Sequence, residues 1–539
     1  MGLHPSHPFL SLFLSEICMR RELTTYSRLP MSRIKTGATL SRRPALVGGL
    51  LLVLMLLTGL GWAVSSPVES SPDEDFHLGS IWCPRPAGKY CQTSVMNGDP
   101  VVRVPVAVSD DSMKCYNFQP DRSARCALGY RDSEMAWTKR FDDSGAYPIG
   151  YYHFHHLFVG KDVQTSVLVM RAVNVLIAVA LLGAVGFCAP QRLRRPFVGA
   201  IAASWVPMGI YFIASNNPSS WSLSGLLAYS AATYMATQQK GRRRTVLVIC
   251  AVIGAVMCLT SRYDSAFFLL VVGLALLFVV PWKRGGWIGL GALSGVSLLG
   301  VGTFMASSQV SKISYFLSAF ETSDPAKSAS KQSFFERLII GLESAPKYLG
   351  GFWGHTWTPG WYDVPLETRA PYVLTIMAAG AFVAIALRRG GWRKWTSMAI
   401  IVGAMVLLPA VFYANGAMKH IELYQARYIF PLLAPTFFLM LAVDQDEDAW
   451  FTVPQAVWVT VCASLCQAIT LHTLLLRFVQ GIHERWELNL NKHIEWWWSV
   501  PVSPMMVWFL TTCFATAALG VAMAMLTRAP QGQEEPQDS

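Results

Sequence analysis

Uninterrupted apolar runs dominate this chain and commit it to a membrane. Ala45 to Val64 is about twenty residues of nearly pure apolar sequence without a charge, the length a helix needs to cross a hydrocarbon core of roughly 30 Å. Hydrophobic residues make up 53% of the sequence and charged residues 14%, against roughly 25% charged in a soluble domain. A soluble globular enzyme is therefore excluded. Inside lipid every backbone polar group needs an internal partner, which favours helices. The sequence thus predicts an all-α polytopic membrane protein of about twelve transmembrane helices. The expected spans lie near 45–65, 165–188, 197–214, 220–238, 245–260, 265–281, 287–307, 371–387, 396–413, 427–443, 453–475 and 504–526.

Basic residues set the orientation. Arg192, Arg194 and Arg195 fall in one loop, and Lys240, Arg242, Arg243 and Arg244 in another. Lys283 and Arg284, then Arg388, Arg389, Arg393 and Lys394, fill two more. These loops alternate along the span order, so all lie on one side, the cytoplasm by the positive-inside bias. Both termini fall there. The acidic loop Asp444 to Asp448 lands there too, and acidic residues contribute little to the bias. The net charge of +11 then reflects basic cytoplasmic loops, and no nucleic-acid partner is expected.

The first residues contain a short apolar run, Phe9 to Leu14, followed by Met19-Arg20-Arg21. It is too short to span and is not followed by a small-residue cleavage site, so it does not read as a signal peptide. A second start at Met31 would lead a basic segment (Arg33, Lys35, Arg42, Arg43) straight into the first span. Residues 1–44 are expected to be a disordered cytoplasmic N-terminus or never translated. Residues 45–445 form the core, 446–526 a C-terminal pair of spans, and 527–539 a disordered cytoplasmic tail.

The long connections fall outside the cytoplasm, at 66–164, 308–370 and 476–503; loops of such length usually carry function. The first holds Cys83, Cys91, Cys115 and Cys126. Four cysteines in an oxidising compartment point to two disulfides, with three pairings open. A zinc site is the rival, without tight Cys-x-x-Cys spacing to support it. Cys188, Cys250 and Cys462 lie in or near spans and read as packing residues. The sequence contains no repeat, no Walker loop and no dinucleotide fingerprint.

Just past the first span stands an acidic cluster, Pro72-Asp73-Glu74-Asp75-Phe76-His77. Carboxylates so close to a hydrocarbon core are costly unless they meet water or partners, so they are expected to bind something or do chemistry. The plainer alternative is a solvated loop start or a helix cap, for which Ser70, Ser71 and Asp73 are suited.

One span, then a long external loop opening on carboxylates, then many spans: this layout resembles the GT-C class of membrane glycosyltransferases. Pro72, Asp73, Glu74 and His77 fit the Pro-Asp-Glu-x-x-His pattern of a bacterial multi-pass family, domain of unknown function 2142. Tyr147-Pro148-Ile149-Gly150-Tyr151-Tyr152, Asn217-Pro218 and Gln425-Ala426-Arg427-Tyr428-Ile429-Phe430-Pro431 are similar to its later motifs, with Ala426 where Gly is usual. The resemblance covers roughly residues 45–445. It implies a GT-C-like helical bundle with long extracytoplasmic loops. It also implies transfer of a sugar from a polyprenyl-phosphate donor to an envelope glycan, glycolipid or glycoprotein outside the cytoplasm. The first loop is longer and richer in cysteine than that family leads one to expect.

Such a transfer needs a base for the acceptor proton and cations for the leaving phosphate. Asp73, Glu74 and Asp75 are the catalytic candidates, with His77 beside them for substrate. Arg suits phosphate because its planar fork binds the oxygens in pairs and stays charged. Arg427, preceded by Lys419 and His420 and followed by Tyr428, is one candidate. Arg262, in the tight connection Ser261-Arg262-Tyr263-Asp264, is the other. Snorkelling to headgroups is the alternative for both, and Asp264 can simply pair with a neighbouring cation. His153 and His156 share a helical face and, with Asp73 or His77, are candidates for a divalent metal; interfacial belts also collect such residues. Trp357 and Trp361, in the aromatic segment from Phe352 to Asp363, are candidates for stacking on sugar, whereas Trp496 to Trp498 read as a bilayer anchor. Phe334 to Leu342 reads as an amphipathic surface helix. A multi-pass transporter or lipid-linked sugar flippase is the rival function, and a non-catalytic envelope scaffold a third. The absence of an internal repeat speaks against transport.

Overall fold

The computed structural model describes residues 44–109, 114–127, 133–280, 287–306, 333–366, 370–416, 418, 420–444, 450–483 and 487–527. The expected N-terminal segment up to residue 43, the tail beyond 527, Lys419, and much of the loop 308–370 lie outside the described residues.

Each expected span coincides with a helix or a pair of helices. In order these are α1 (Pro44–Ala63), α2 (Glu74–Trp82), α3 (Gly150–His156), α4 (Val163–Cys188), α5 (Gln191–Ser204), α6 (Pro207–Ile213), α7 (Ser219–Ala236) and α8 (Gly241–Ser261). Then come α9 (Tyr263–Val279), α10 (Trp287–Met305), α11 (Phe334–Glu343), α12 (Ala370–Ala386), α13 (Trp392–Ala414), α14 (Leu433–Ala442), α15 (Val453–Val479) and α16 (Pro504–Leu526). The short helices α2, α3 and α11 lie outside the expected spans. Among the described residues six helices are long and apolar enough to cross a membrane: Ala45–Ala63, Val163–Cys188, Gly241–Ser261, Trp392–Ala414, Val453–Val479 and Pro504–Leu526. The α5–α6 pair makes a seventh if counted as one span, bent by 89°. The sequence explains the bend: Pro207 forces Val206 out of helical geometry (φ −69°, ψ 166°). The apolar helices Tyr263–Val279, Gly289–Met305, Ala370–Ala386 and Phe430–Ala442 are shorter. The expectation of about twelve full spans is thus met by long helices for only some segments.

Helices α7 and α8 pack through small residues. A methyl on Gly254 would come within 2.4 Å of the Gly225 carbonyl oxygen, so glycine permits a backbone approach of the kind that drives helix association in lipid. Lys283 and Arg284 lie outside the described residues, and the helix ends beside the other basic loops are tied to neighbouring helix ends. Arg192 bonds Gln238, Gln239 Nε2 donates to Cys188 O (3.0 Å), Arg195 donates to Met525 O (3.1 Å), and Gly391 N–H donates to Asp444 (2.7 Å).

The first long loop departs from an all-α reading. It contains an antiparallel sheet of β1 (Thr93–Met96), β2 (Asp99–Pro105) and β3 (Met135–Thr138), in that order. Val95 faces Pro100 and Val102 faces Thr138. Asn97 and Gly98 both have positive φ, 53° and 84°, the turn an Asn-Gly hairpin requires. The four loop cysteines form two disulfides, Cys83–Cys91 and Cys115–Cys126, which resolves the three open pairings. The second disulfide loop docks on the last long connection: Ala124 N–H donates to Phe478 O (2.8 Å), and Ile482 N–H to Pro120 O (2.7 Å).

Trp496 and Trp498 are not free to anchor in a bilayer. Both are buried, Trp496 edge-on to Phe478 and Trp498 donating to Val64 O (2.8 Å). They fill space between the last loop and the start of the first. α11 forms as expected, capped by Ser333 and Glu336, with Phe335 and Ile339 exposed.

Candidate active site

From Val64 to Pro72 the chain has left α1 and forms no regular structure, yet its carbonyls, and that of Ala63 at the helix end, are buried and need donors. Side chains from across the chain supply them. Arg171 donates to Ala63, Ser66 and Pro67 (2.7–3.0 Å). Tyr116 bonds Val68 O (2.9 Å), Trp361 bonds Glu69 O (2.8 Å), and Tyr211 bonds Ser70 O (3.1 Å). Asn217 Nδ2 and Arg427 both reach Pro72 O, at 3.1 and 3.0 Å. These donors come from six separated places in the chain, so the stretch leading into the acidic cluster is held from several sides.

Its three adjacent carboxylates have three different surroundings. Glu74 is fully buried and forks onto Arg171, with Arg171 Nη2 donating to its two oxygens at 3.0 and 2.9 Å. The backbone N–H groups of Ser71 and Asn216 complete its acceptor set, each at 3.2 Å. Asp75 is also buried, held by Arg140 (2.8 and 2.9 Å) and Lys114 (2.8 Å). Burial alone would raise its pKa; Arg140 and Lys114 overrule that and bring it down to about 2. Asp73 is different. Its side chain is 36% exposed, its backbone is left-handed (φ 61°), and its carboxylate makes no cap bond to α2. It lies between buried Arg427, which donates to it, and half-exposed Arg140 at 3.6 Å. Burial pushes its pKa up, but the charges of Arg427 and Arg140 hold it below the usual carboxylate range.

His77 stands behind Asp73. Its Nδ1 shares a 3.0 Å hydrogen bond with Tyr152 Oη, and Tyr147 packs edge-on against the ring at 5.0 Å. Its Nε2 is buried with no hydrogen-bond partner among the described residues. Burial lowers its pKa to about 3, so the ring is neutral at ordinary pH.

Arg262 and Arg427 converge on one tyrosine. Their guanidinium carbons lie 5.4 and 5.2 Å from the centre of the Tyr428 ring, within cation–π range. Arg262 also lies 5.5 Å from the Tyr147 ring and pairs with Asp264 at 2.6 Å. Both arginines are buried, which speaks against snorkelling to headgroups. Trp357 meets Tyr362 edge-on at 4.7 Å, and Tyr362 donates to Gln425 (2.9 Å) and lies 6.0 Å from Arg427. The segment with Trp357 and Trp361 therefore lines the same region.

Four separated sequence patterns are thus brought together: the acidic cluster, Tyr147 to Tyr152, Asn217, and Gln425 to Tyr428. Other candidates are not brought in. His420 is exposed, beside Glu422 rather than the carboxylates, and Lys419 lies outside the described residues. His153 Nε2 bonds Arg85 O (2.9 Å) and His156 Nδ1 bonds Ile81 O (2.8 Å). Among the described residues no group of three or more His, Cys, Asp or Glu could hold a metal ion. Sequence reasoning missed Arg171, Arg140 and Lys114. Arg171 carried a signal, a cation inside an otherwise apolar span; the two loop cations carried none.

Residues 56–436, well over half of the chain, match the family described as predicted membrane protein, DUF2142, and the chain belongs to that family. No curated protein and no solved structure matches it.

Proposed function

We propose that this protein is an integral membrane glycosyltransferase of GT-C type. It takes a sugar from a polyprenyl-phosphate donor and passes it to a hydroxyl of an envelope glycan, glycolipid or glycoprotein on the extracytoplasmic side. About twelve membrane crossings, counting the shorter apolar helices and the bent pair, belong to this reading. The observation that carries it is Asp73: a partly exposed carboxylate within reach of two arginines, on a stretch held from several sides.

Of the three carboxylates, Asp73 suits the base. Glu74 has its acceptor positions filled, and Asp75 is dry and tied to two cations. The acceptor hydroxyl oxygen attacks the anomeric carbon as its proton passes to Asp73. The bond from that carbon to the phosphate oxygen breaks, and the lipid phosphate leaves with the electron pair. Arg427 and Arg262 offset its growing charge. Neutral His77, with its unpartnered Nε2, is suited to orient a hydroxyl. Tyr428, Tyr362, Trp357 and Trp361 offer faces for the sugar ring.

Among the described residues the helix ends at Arg192, Arg195 and Gln238 lie together, and the positive-inside bias supports a cytoplasmic setting for that end. Two disulfides in the first long loop support an oxidising setting for the carboxylates. A transfer assay with radiolabelled polyprenyl-phosphate sugars and envelope-extract acceptors tests the reading. Lipid movement or ion-coupled uptake without transfer would favour the transporter instead.

A further inference from the structure

Arg171 holds Glu74 in the fully buried pair described above, and each of the other three arginines of the site also holds a carboxylate of the chain. Arg262 holds Asp264, Arg140 holds Asp75, and Arg427 holds Asp73. A donor phosphate has to take the place of one of them. The three pairs are not equivalent. Asp75 is 2% exposed and bound by a second cation, and Asp264 sits two residues from Arg262 and bonds its Nε and Nη2. Asp73 has the most exposed side chain of the three, at 36%. Its carboxylate makes no cap bond to α2, so it can turn away without uncapping the helix. Arg427 is buried and stays tied to Pro72 O at 3.0 Å while its Nε has no partner. The guanidinium is fixed and under-occupied, and the carboxylate is the movable member.

We propose that Asp73 is a stand-in for the donor's phosphate: an anionic isoprenyl phosphate seated on Arg427 displaces the Asp73 carboxylate, so the base is released only when donor is present. This rests on the transferase reading above. The exchange orders the reaction. Without donor, Arg427 and Arg140 hold Asp73 as a weak base. With Arg427 turned to phosphate, burial and the new neighbouring anion both make the carboxylate more basic. It then faces the acceptor with Arg140 as its remaining charged neighbour. Premature proton removal in the absence of donor is suppressed by the same contact.

The test is binding, not turnover. Full-length protein in detergent is titrated with farnesyl phosphate, a short mimic of the leaving group, at fixed pH and ionic strength. Wild type, Asp73→Asn and Arg427→Gln are compared, with the melting transition of each read on the same samples. Asn tolerates the left-handed backbone of residue 73; Asp73→Gly, which also tolerates it, is the second variant if the first fails to melt cooperatively. Removing a competing anion should tighten binding by about tenfold in Asp73→Asn, while Arg427→Gln should weaken it. Unchanged or weaker binding by Asp73→Asn, alongside a loss in Arg427→Gln, would overturn the exchange and leave the phosphate site intact. No effect of either variant, or no binding by wild type, would overturn both the exchange and the phosphate site it rests on.

Discussion

Glu74 and Arg171 form an ion pair removed from water, with side chains 0% and 1% exposed. Arg171 also ties down the carbonyls that lead out of α1. Removing one partner of a buried pair strands the other's charge, at a cost of about 3–5 kcal/mol. Arg171→Leu should therefore lower the melting temperature in detergent sharply. Glu74→Gln should do so too, because its one amide oxygen can accept from only one of the two backbone N–H groups, which reach separate carboxylate oxygens, and the Arg171 charge loses its counter-ion. Asp73→Asn should lower it least of the three, because the Asp73 side chain is 36% exposed and Arg427 keeps its bond to Pro72 O. An Arg171→Leu protein as stable as wild type would remove the clamp from this account.

Asp75 gives a pH dependence of known sign. Its folded pKa of about 2 lies below its ordinary value of 3.8. The unfolded chain therefore binds the proton more readily, and stability falls as pH falls. The contribution, on the order of 2 kcal/mol from the shift, is complete above pH 3.8 and fades as pH drops toward about 2. Wild type should exceed Asp75→Asn in melting temperature at pH 5, and the gap should narrow between pH 4 and pH 2. A gap that stays constant over that window would mean Asp75 is not held by charge.

Gly481 has a φ of 83°, and a methyl there would meet the Asp121 carbonyl oxygen at 2.1 Å. No shift of a flexible side chain relieves that contact, because the obstacle is backbone. Gly481→Ala should separate the last connection from the Cys115–Cys126 loop and cost several kcal/mol, about the size of other severe backbone effects. Protease sensitivity confined to these two segments would be the readout; an unchanged digestion pattern would count against their docking.

Non-reducing peptide mapping should recover Cys83 linked to Cys91 and Cys115 linked to Cys126. Cys115→Ala with Cys126→Ala removes a short loop closure, worth roughly 3 kcal/mol in the chain-entropy view. The melting temperature should drop while the helical signal persists. Recovery of any crossed pairing would contradict the loop architecture.

The membrane helices were legible because a bilayer imposes a length and an apolar composition on them. Even the break before α6 follows from Pro207. The sheet was signalled by Asn97-Gly98 beside valine-rich residues but was hidden by the length of the loop around it. Asp73 was visible as a carboxylate beside a span, and Arg427 as a cation beside a late one. Their partnership was not, since nothing local joins residues this far apart in the chain. Arg140 and Lys114 sit in polar loop sequence and gain meaning only from the fold. The three adjacent carboxylates looked alike as letters, and burial and partners divided them.

The central claim is that Asp73 is the base of an extracytoplasmic sugar transfer. The direct measurement is movement of label from a polyprenyl-phosphate sugar to an envelope acceptor, using purified wild type, Asp73→Asn, Glu74→Gln and Asp75→Asn that have each passed a melting check. The account predicts transfer by wild type and a loss of about 10²–10⁴-fold in Asp73→Asn, with any loss in the other two tracking their stability. Full transfer by a folded Asp73→Asn would contradict it.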